Sequence, residues 1–262
     1  MGMNDQAQVS IPPRVRVVMG ASWVFQHWLV IWLGAFTLFN VLPYLAPVLM
    51  WLGWEPLARV IYTLYGTISH QLAHRSFFFF GQQVTYPLEA FPLELVGEFL
   101  PDSTALRQFI GNAEMGWKVA WSDRLVSMFG AALVTSYMYA QLRRNTNFRP
   151  LGRVGMLILV TPLLLDGITH YISDFGSLSA GFRWDNGWLA TLTVNSLPPS
   201  FYVGDDWGSF NSIMRLISGI LFGIGLMGWG LPISESYFAR NASILEARLA
   251  NWWQRQQAEQ AE

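Results

Sequence analysis

The sequence predicts an all-α integral membrane protein with about four transmembrane helices, an outer re-entrant or interfacial helix and a C-terminal amphipathic helix. Three observations point there. Of 262 residues, 52% are hydrophobic and 13% charged, about half the charged share of a soluble domain. Four apolar stretches come close to the roughly 20 residues that a helix needs to cross a bilayer core. The arginines concentrate in alternate links between those stretches, as the positive-inside rule requires.

Residues 1–22 read as a cytoplasmic N-terminal tail. They are polar up to Pro12-Pro13 and lack the apolar core and small-residue cleavage site of a signal peptide. The first span is predicted over 23–42, with apolar residues continuing past Pro43 and Pro47 to Leu52. The second, third and fourth are predicted over 121–142, 154–172 and 212–233. Between the first two, residues 57–80 carry Ser69, His70, Gln71, His74, Arg75 and Ser76. That is too polar for lipid, so this stretch is predicted as a helix lying against the bundle. A single membrane domain over 23–233 then gives way to residues 234–262, where Leu245, Leu249, Trp252 and Trp253 stand among Glu and Arg. This pattern predicts an amphipathic helix on the inner surface, with a solvated helix as the alternative.

Orientation follows from Arg14 and Arg16 before the first span, from Arg143, Arg144, Arg149 and Arg153 between the second and third, and from Arg240, Arg248 and Arg255 after the fourth. Both termini are therefore expected in the cytoplasm. The link 174–207 holds Arg183 against Asp174, Asp185, Asp205 and Asp206, and its tryptophans fit an outer interfacial cap. The absence of cysteine excludes disulfides, thiolate ligands and a cysteine nucleophile. A net charge of −1 gives no footprint for nucleic acid.

Ionisable residues at membrane depth mark sites or internal pairs, and here they gather at one end of the predicted spans. Asp123 and Arg124 open the second, Asp166 and His170 lie near the end of the third, and Arg215 opens the fourth; His70, His74 and Arg75 belong to the outer segment. Asp166 and His170 are four apart, as are His70 and His74, so each pair is expected on one helix face. His70, Asp166 and His170 are candidate ligands for a divalent metal such as zinc, iron or manganese. Asp123, Arg124, Asp166 and Arg215 are the candidate catalytic groups. The structural alternative is a salt-bridge network tying helix ends together. His27 reads as a packing or interfacial histidine, and the run of phenylalanines at 77–80 as an anchor or packing surface.

The segment Ser69-His70-Gln71-Leu72-Ala73-His74-Arg75-Ser76-Phe77 resembles the signature Cys-His-Gln-x-x-x-Arg-Ser-Phe of an uncharacterised family of prokaryotic membrane proteins, domain of unknown function 2085. Ser122-Asp123-Arg124 with Gly130 is similar to its second motif, Cys-x-Arg followed by glycine. Pro162, Asp166-Gly167, Thr169 and His170 resemble the third, Pro-x-x-x-Asp-Gly-x-Thr-Gln, and Asn211, Arg215, Ser218 and Gly219 the fourth, Asn-x-x-x-Arg-x-x-Thr-Gly. The resemblance covers the central two-thirds of the chain. It implies a small multi-pass protein of the prokaryotic cytoplasmic (inner) membrane and no established activity. Both family cysteines are serine here, Ser69 and Ser122, and His170 replaces a glutamine. The insert 82–118, acidic at Glu89, Glu94, Glu98 and Asp102, is longer than the family pattern.

Two functions stand against each other. One is a metal-dependent hydrolase or transferase at the outer face of the membrane, acting on a lipid-like substrate with a metal-bound water as nucleophile. The other is a non-catalytic membrane subunit, or a lipid- or partner-binding protein, whose cluster is a structural network. The expected partners are membrane lipids, and proteins met through the outer loops 82–118 and 174–207. A transporter finds less support, with few spans and no repeat or broken-helix pair.

Overall fold

Among the described residues, four helices are long and apolar enough to cross a membrane: α1 (Pro13–Trp51), α4 (Asp123–Leu142), α5 (Arg153–Gly176) and α9 (Phe210–Ala261). The computed structural model of the chain describes residues 11–92, 103–145 and 147–261. Residues 1–10 of the expected tail, and Glu94, Glu98 and Asp102 of the acidic insert, lie outside the described residues. Only 11–28% of the most apolar window of each long helix is buried within the protein. Val154, Ile158 and Leu165 are more than half exposed. Such faces are stable in hydrocarbon, where helices satisfy their own backbone.

Residues 13–22 form the first turns of α1. Residues 234–261 are helical as expected, in continuity with the fourth span, because α9 runs unbroken through 233 and 234. Beyond Pro232 the chain holds neither glycine nor proline and is rich in Ala, Leu, Glu, Arg and Gln, the strong helix formers.

The chain divides into two compact units, Met1–Ala35 with Gly230–Glu262, and Phe36–Trp229. In the first, Trp28 stacks on Phe238 with centroids 4.8 Å apart, and Gln26 donates to Glu246 at 2.7 Å. The second unit holds the remaining elements and every candidate residue except His27, which stacks on Trp23 at 4.6 Å.

In the second unit, the 57–80 stretch is helical only at its start. Helix α2 covers Glu55–Gly66, a 3-10 turn follows at Ala73–Arg75, and β1 takes Ser76–Phe79. The chain leaves the helix after Gly66, and Gln71 adopts a left-handed φ of 49°, which is uncommon for a non-glycine residue. The Gln71 amide donates to Tyr62 O at 3.1 Å and Ala120 O at 2.8 Å, which holds the turn in place. His70 and His74 therefore do not share a helix face. Past a second 3-10 turn (Leu88–Ala90) and α3 (Thr104–Gln108), the strands β2 (Gly111–Asn112) and β3 (Gly116–Ser122) complete a small antiparallel sheet ordered β1-β3-β2. Phe78, on β1, is 2% exposed, so at least one of the four phenylalanines is core. Trp121 of β3 is fully buried, with ring centroids 4.8 to 5.5 Å from Phe39, Tyr65 and Phe129.

The 174–207 link folds as three short helices, α6 (Phe182–Asp185), α7 (Gly187–Leu192) and α8 (Pro199–Tyr202). Helices α4 and α9 meet closely at Gly219 and Gly223, where an added Cβ would come within 2.2 Å of Ser127 Oγ and 2.4 Å of Met128 O. Prolines inside helices leave carbonyls four residues earlier without a helical donor. Tertiary donors take two of them. Tyr65 Oη donates to Phe39 O at 2.7 Å, below Pro43, and Leu151 N–H donates to Gly228 O at 3.3 Å, below Pro232.

Candidate functional site

The first turn of α4, the last turns of α5 and the start of α9 bring their charged residues together with the 3-10 turn and the 174–207 link. Four aspartates and four arginines meet there in a buried lattice. Arg215 Nε donates to Asp123 Oδ2 at 2.8 Å, and its Nη1 donates to Asp205 Oδ1. Arg75 spans Asp205, with Nε at 2.7 Å from Oδ2, and Asp174, with Nη2 at 2.9 Å from Oδ1. Arg124 Nη2 reaches Asp166 Oδ2 at 2.7 Å, while Arg183 Nη2 takes the other oxygen at 2.8 Å. The Arg183 guanidinium also lies 5.4 Å from the centre of the Phe210 ring, a cation–π distance.

Local structure explains why these groups converge. Asn186 adopts a left-handed φ of 44° at the joint between α6 and α7. Its amide donates to Arg183 O and Tyr202 O, and Asn211 donates to Arg183 O and Gly204 O. These bonds fix the backbone that carries Arg183 and Asp205 over the helix ends. Burial alone would raise the Asp205 carboxyl, but Arg75 and then Arg215 outweigh it and hold the group well below the usual carboxylate range. For Arg75, burial is likewise outweighed, by Asp205 and Asp174, and its charge is strengthened. His74 is fully enclosed, with Nε2 at 3.5 Å from Asp205 Oδ2. Burial lowers its pKa despite that neighbour, so it stays neutral. The four positive and four negative groups balance.

The lattice settles what the candidate residues face. Asp123, Arg124, Asp166 and Arg215 are brought together as expected. His70, Asp166 and His170 do not form the expected metal-ligand set: among the described residues no group of three or more His, Asp or Glu is placed to hold a metal ion. The physical reason is charge, since both Asp166 oxygens are engaged by guanidinium groups. His170 Nε2 lies 3.8 Å from Asp166 and only 3.2 Å from Arg183 Nη2. His70 is exposed, and its carbonyl accepts from Arg107 Nε at 3.1 Å.

A cavity of about 220 Å³ opens beside the lattice, bordered by Ser69, His70, Ser122, Arg124, His170 and Tyr171 among others. Ser69 and Ser122 are both on its wall. Arginine is always a donor, so His170 Nε2 must accept from Arg183, and its proton is on Nδ1. Among the described residues that buried Nδ1–H has no partner, and neither has the buried Nε–H of Arg124. Two residues of the cavity wall thus keep a buried N–H donor to spare, while the aspartates beside it are already bound.

Sequence reasoning did not assign site roles to Arg75, Asp174, Arg183 and Asp205. The signal was present: a single arginine in a link with four aspartates, and an arginine five residues beyond His70.

No family model matches the chain, and no solved structure matches it. It is 23% identical to the uncharacterized protein MJ1492 of Methanocaldococcus jannaschii over 165 residues, which make up 61% of this chain and 83% of that protein.

Proposed function

We propose that the chain is a non-catalytic membrane protein that binds an amphiphile, with an acceptor-bearing headgroup such as a phosphate seated in the 220 Å³ cavity and the apolar part lying along the helices. The observation that carries this is the division of chemistry at the site. Asp123, Asp166, Asp174 and Asp205 each meet a guanidinium, so none is left as a general base or metal ligand. At the cavity wall, the two buried polar groups left without a partner among the described residues are N–H donors, beside the hydroxyls of Ser69, Ser122 and Tyr171. A buried donor without a partner costs roughly 1–3 kcal/mol, and a ligand oxygen would recover that. The lattice itself is a scaffold that locks the helix ends. Membership of the family known as domain of unknown function 2085 fits this reading, because a glutamine in place of His170 would keep an N–H donor and an acceptor. The positive-inside distribution supports a site on the outer face of a prokaryotic cytoplasmic membrane.

The test is thermal unfolding of detergent-purified protein with lysophosphatidic acid, against a sugar-headed detergent alone. Wild type and His170→Gln are expected to be stabilised, and His170→Leu is not. Equal stabilisation of all three would remove the headgroup from this cavity. Stoichiometric zinc, iron or manganese in protein prepared without chelators would overturn the reading in favour of a metal-dependent hydrolase or transferase.

A further inference from the structure

The other end of α4 and α5 carries a second and different concavity. An apolar groove of about 660 Å³ runs between α4, α5 and α9, with walls that include Val134, Met138, Leu159 and Ile224. Its formation follows from the glycine contacts. Helices α4 and α9 touch at Gly219 and Gly223, and past that point the 148–152 segment, rather than a helix, fills part of the gap. Leu151 N–H is tied to Gly228 O, the carbonyl freed by Pro232, at 3.3 Å.

The polar edge of the groove is basic. Arg149 is an exposed part of its wall. Arg143, Arg144 and Arg153 flank it in the chain, and residues 143–153 contain no Asp or Glu. An apolar slot between membrane helices, with the exposed Arg149 on its wall, matches one occupant in both of its parts. Basic pockets between transmembrane helices take anionic lipid headgroups, and each basic residue near the surface contributes about 1 kcal/mol.

We infer that this groove is a binding site for an anionic phospholipid, with an acyl chain against Val134, Met138 and Ile224 and its phosphate at Arg149. The site is independent of the cap cavity and shares no residue with it.

Native mass spectrometry of the full chain, released from detergent micelles with equal phosphatidylglycerol and phosphatidylcholine, tests it. Wild type is expected to retain phosphatidylglycerol preferentially. Arg149→Gln lowers that preference about fivefold, the equivalent of one such cation. Val134→Trp, placed on an exposed face that tolerates a large side chain, blocks retention of either lipid in the groove. Equal retention of the two lipids by wild type overturns the inference. So does a preference that survives both variants. A preference lost in His170→Leu but kept in Arg149→Gln also overturns it, and assigns the lipid to the cap cavity.

Discussion

Helix α4 has arginine chemistry at both of its ends, and the two ends solve opposite problems. At its first turn, Arg124 is largely buried and meets Asp166 inside a lattice where the positive and negative groups balance. Past its last turn, about 30 Å away along the axis, Arg144 and Arg149 are exposed, in a segment without a carboxylate. The comparison teaches what each environment demands of the same side chain. A guanidinium removed from water needs a protein countercharge, because unpaired burial costs several kcal/mol. One at the bilayer edge is served by water and headgroups, and remains available to them.

The most severe way to break that contrast is Asp205→Asn, which strips Arg75 and Arg215 of a shared partner. A loss of about 3–5 kcal/mol is expected, read as a collapse of the unfolding midpoint in detergent. A loss below 1 kcal/mol would show that the lattice tolerates an unpaired guanidinium.

Lys118 sharpens the comparison, as a buried lysine that has no carboxylate partner among the described residues. Its Nζ donates to Gln71 O at 2.7 Å and Arg107 O at 2.6 Å, the two donors a neutral amine possesses. Burial, with Arg107 adding to it, lowers its pKa from 10.5 to about 7. Between these values the unfolded chain holds the proton and the folded one has released it. Stability therefore rises as pH increases from about 7 to about 10.5 and levels off outside that window. The rise is on the order of a few kcal/mol. Lys118→Met should remove this component of the pH profile, and an unchanged profile would show that the ammonium is retained on folding.

A neutral version of the same rule is Tyr65→Phe. It leaves Phe39 O, already deprived of a helical donor by Pro43, without its tertiary one. A loss of roughly 1–2 kcal/mol in the unfolding free energy is expected, and no loss would mean that the carbonyl finds another donor. The smallest effect belongs to the exposed end. Arg149→Gln should change stability by less than about 0.5 kcal/mol while altering lipid retention.

What was legible in the sequence divides along the same line. The four spans were legible because hydropathy is a local property, and the gathering of Asp123, Arg124, Asp166 and Arg215 at one end followed from span direction alone. Their partners were not, because Arg75–Asp205 and Asp123–Arg215 are paired across 130 and 92 residues. The 57–80 segment misled for a different reason. The spacing of His70 and His74 imitates a helical face, whereas the segment turns at Gln71 and pairs with β3, 40 residues on, through contacts that no local period announces. The engagement of Asp166 was equally hidden: its second oxygen meets Arg183, 17 residues on and beyond the end of α5.

The long-range pairing within the lattice has a consequence for how the protein is made. Arg75, Asp123 and Arg124 leave the ribosome before Asp166, Asp174, Asp205 and Arg215, the residues that neutralise them. The early part of the chain must therefore wait at a wet site, such as the translocation machinery or the membrane surface, with its charges unmatched. Only when the start of α9 delivers Arg215 beside Asp205 can the helix ends close together. Insertion into the membrane and folding of this protein are in that sense one event, completed by its last span.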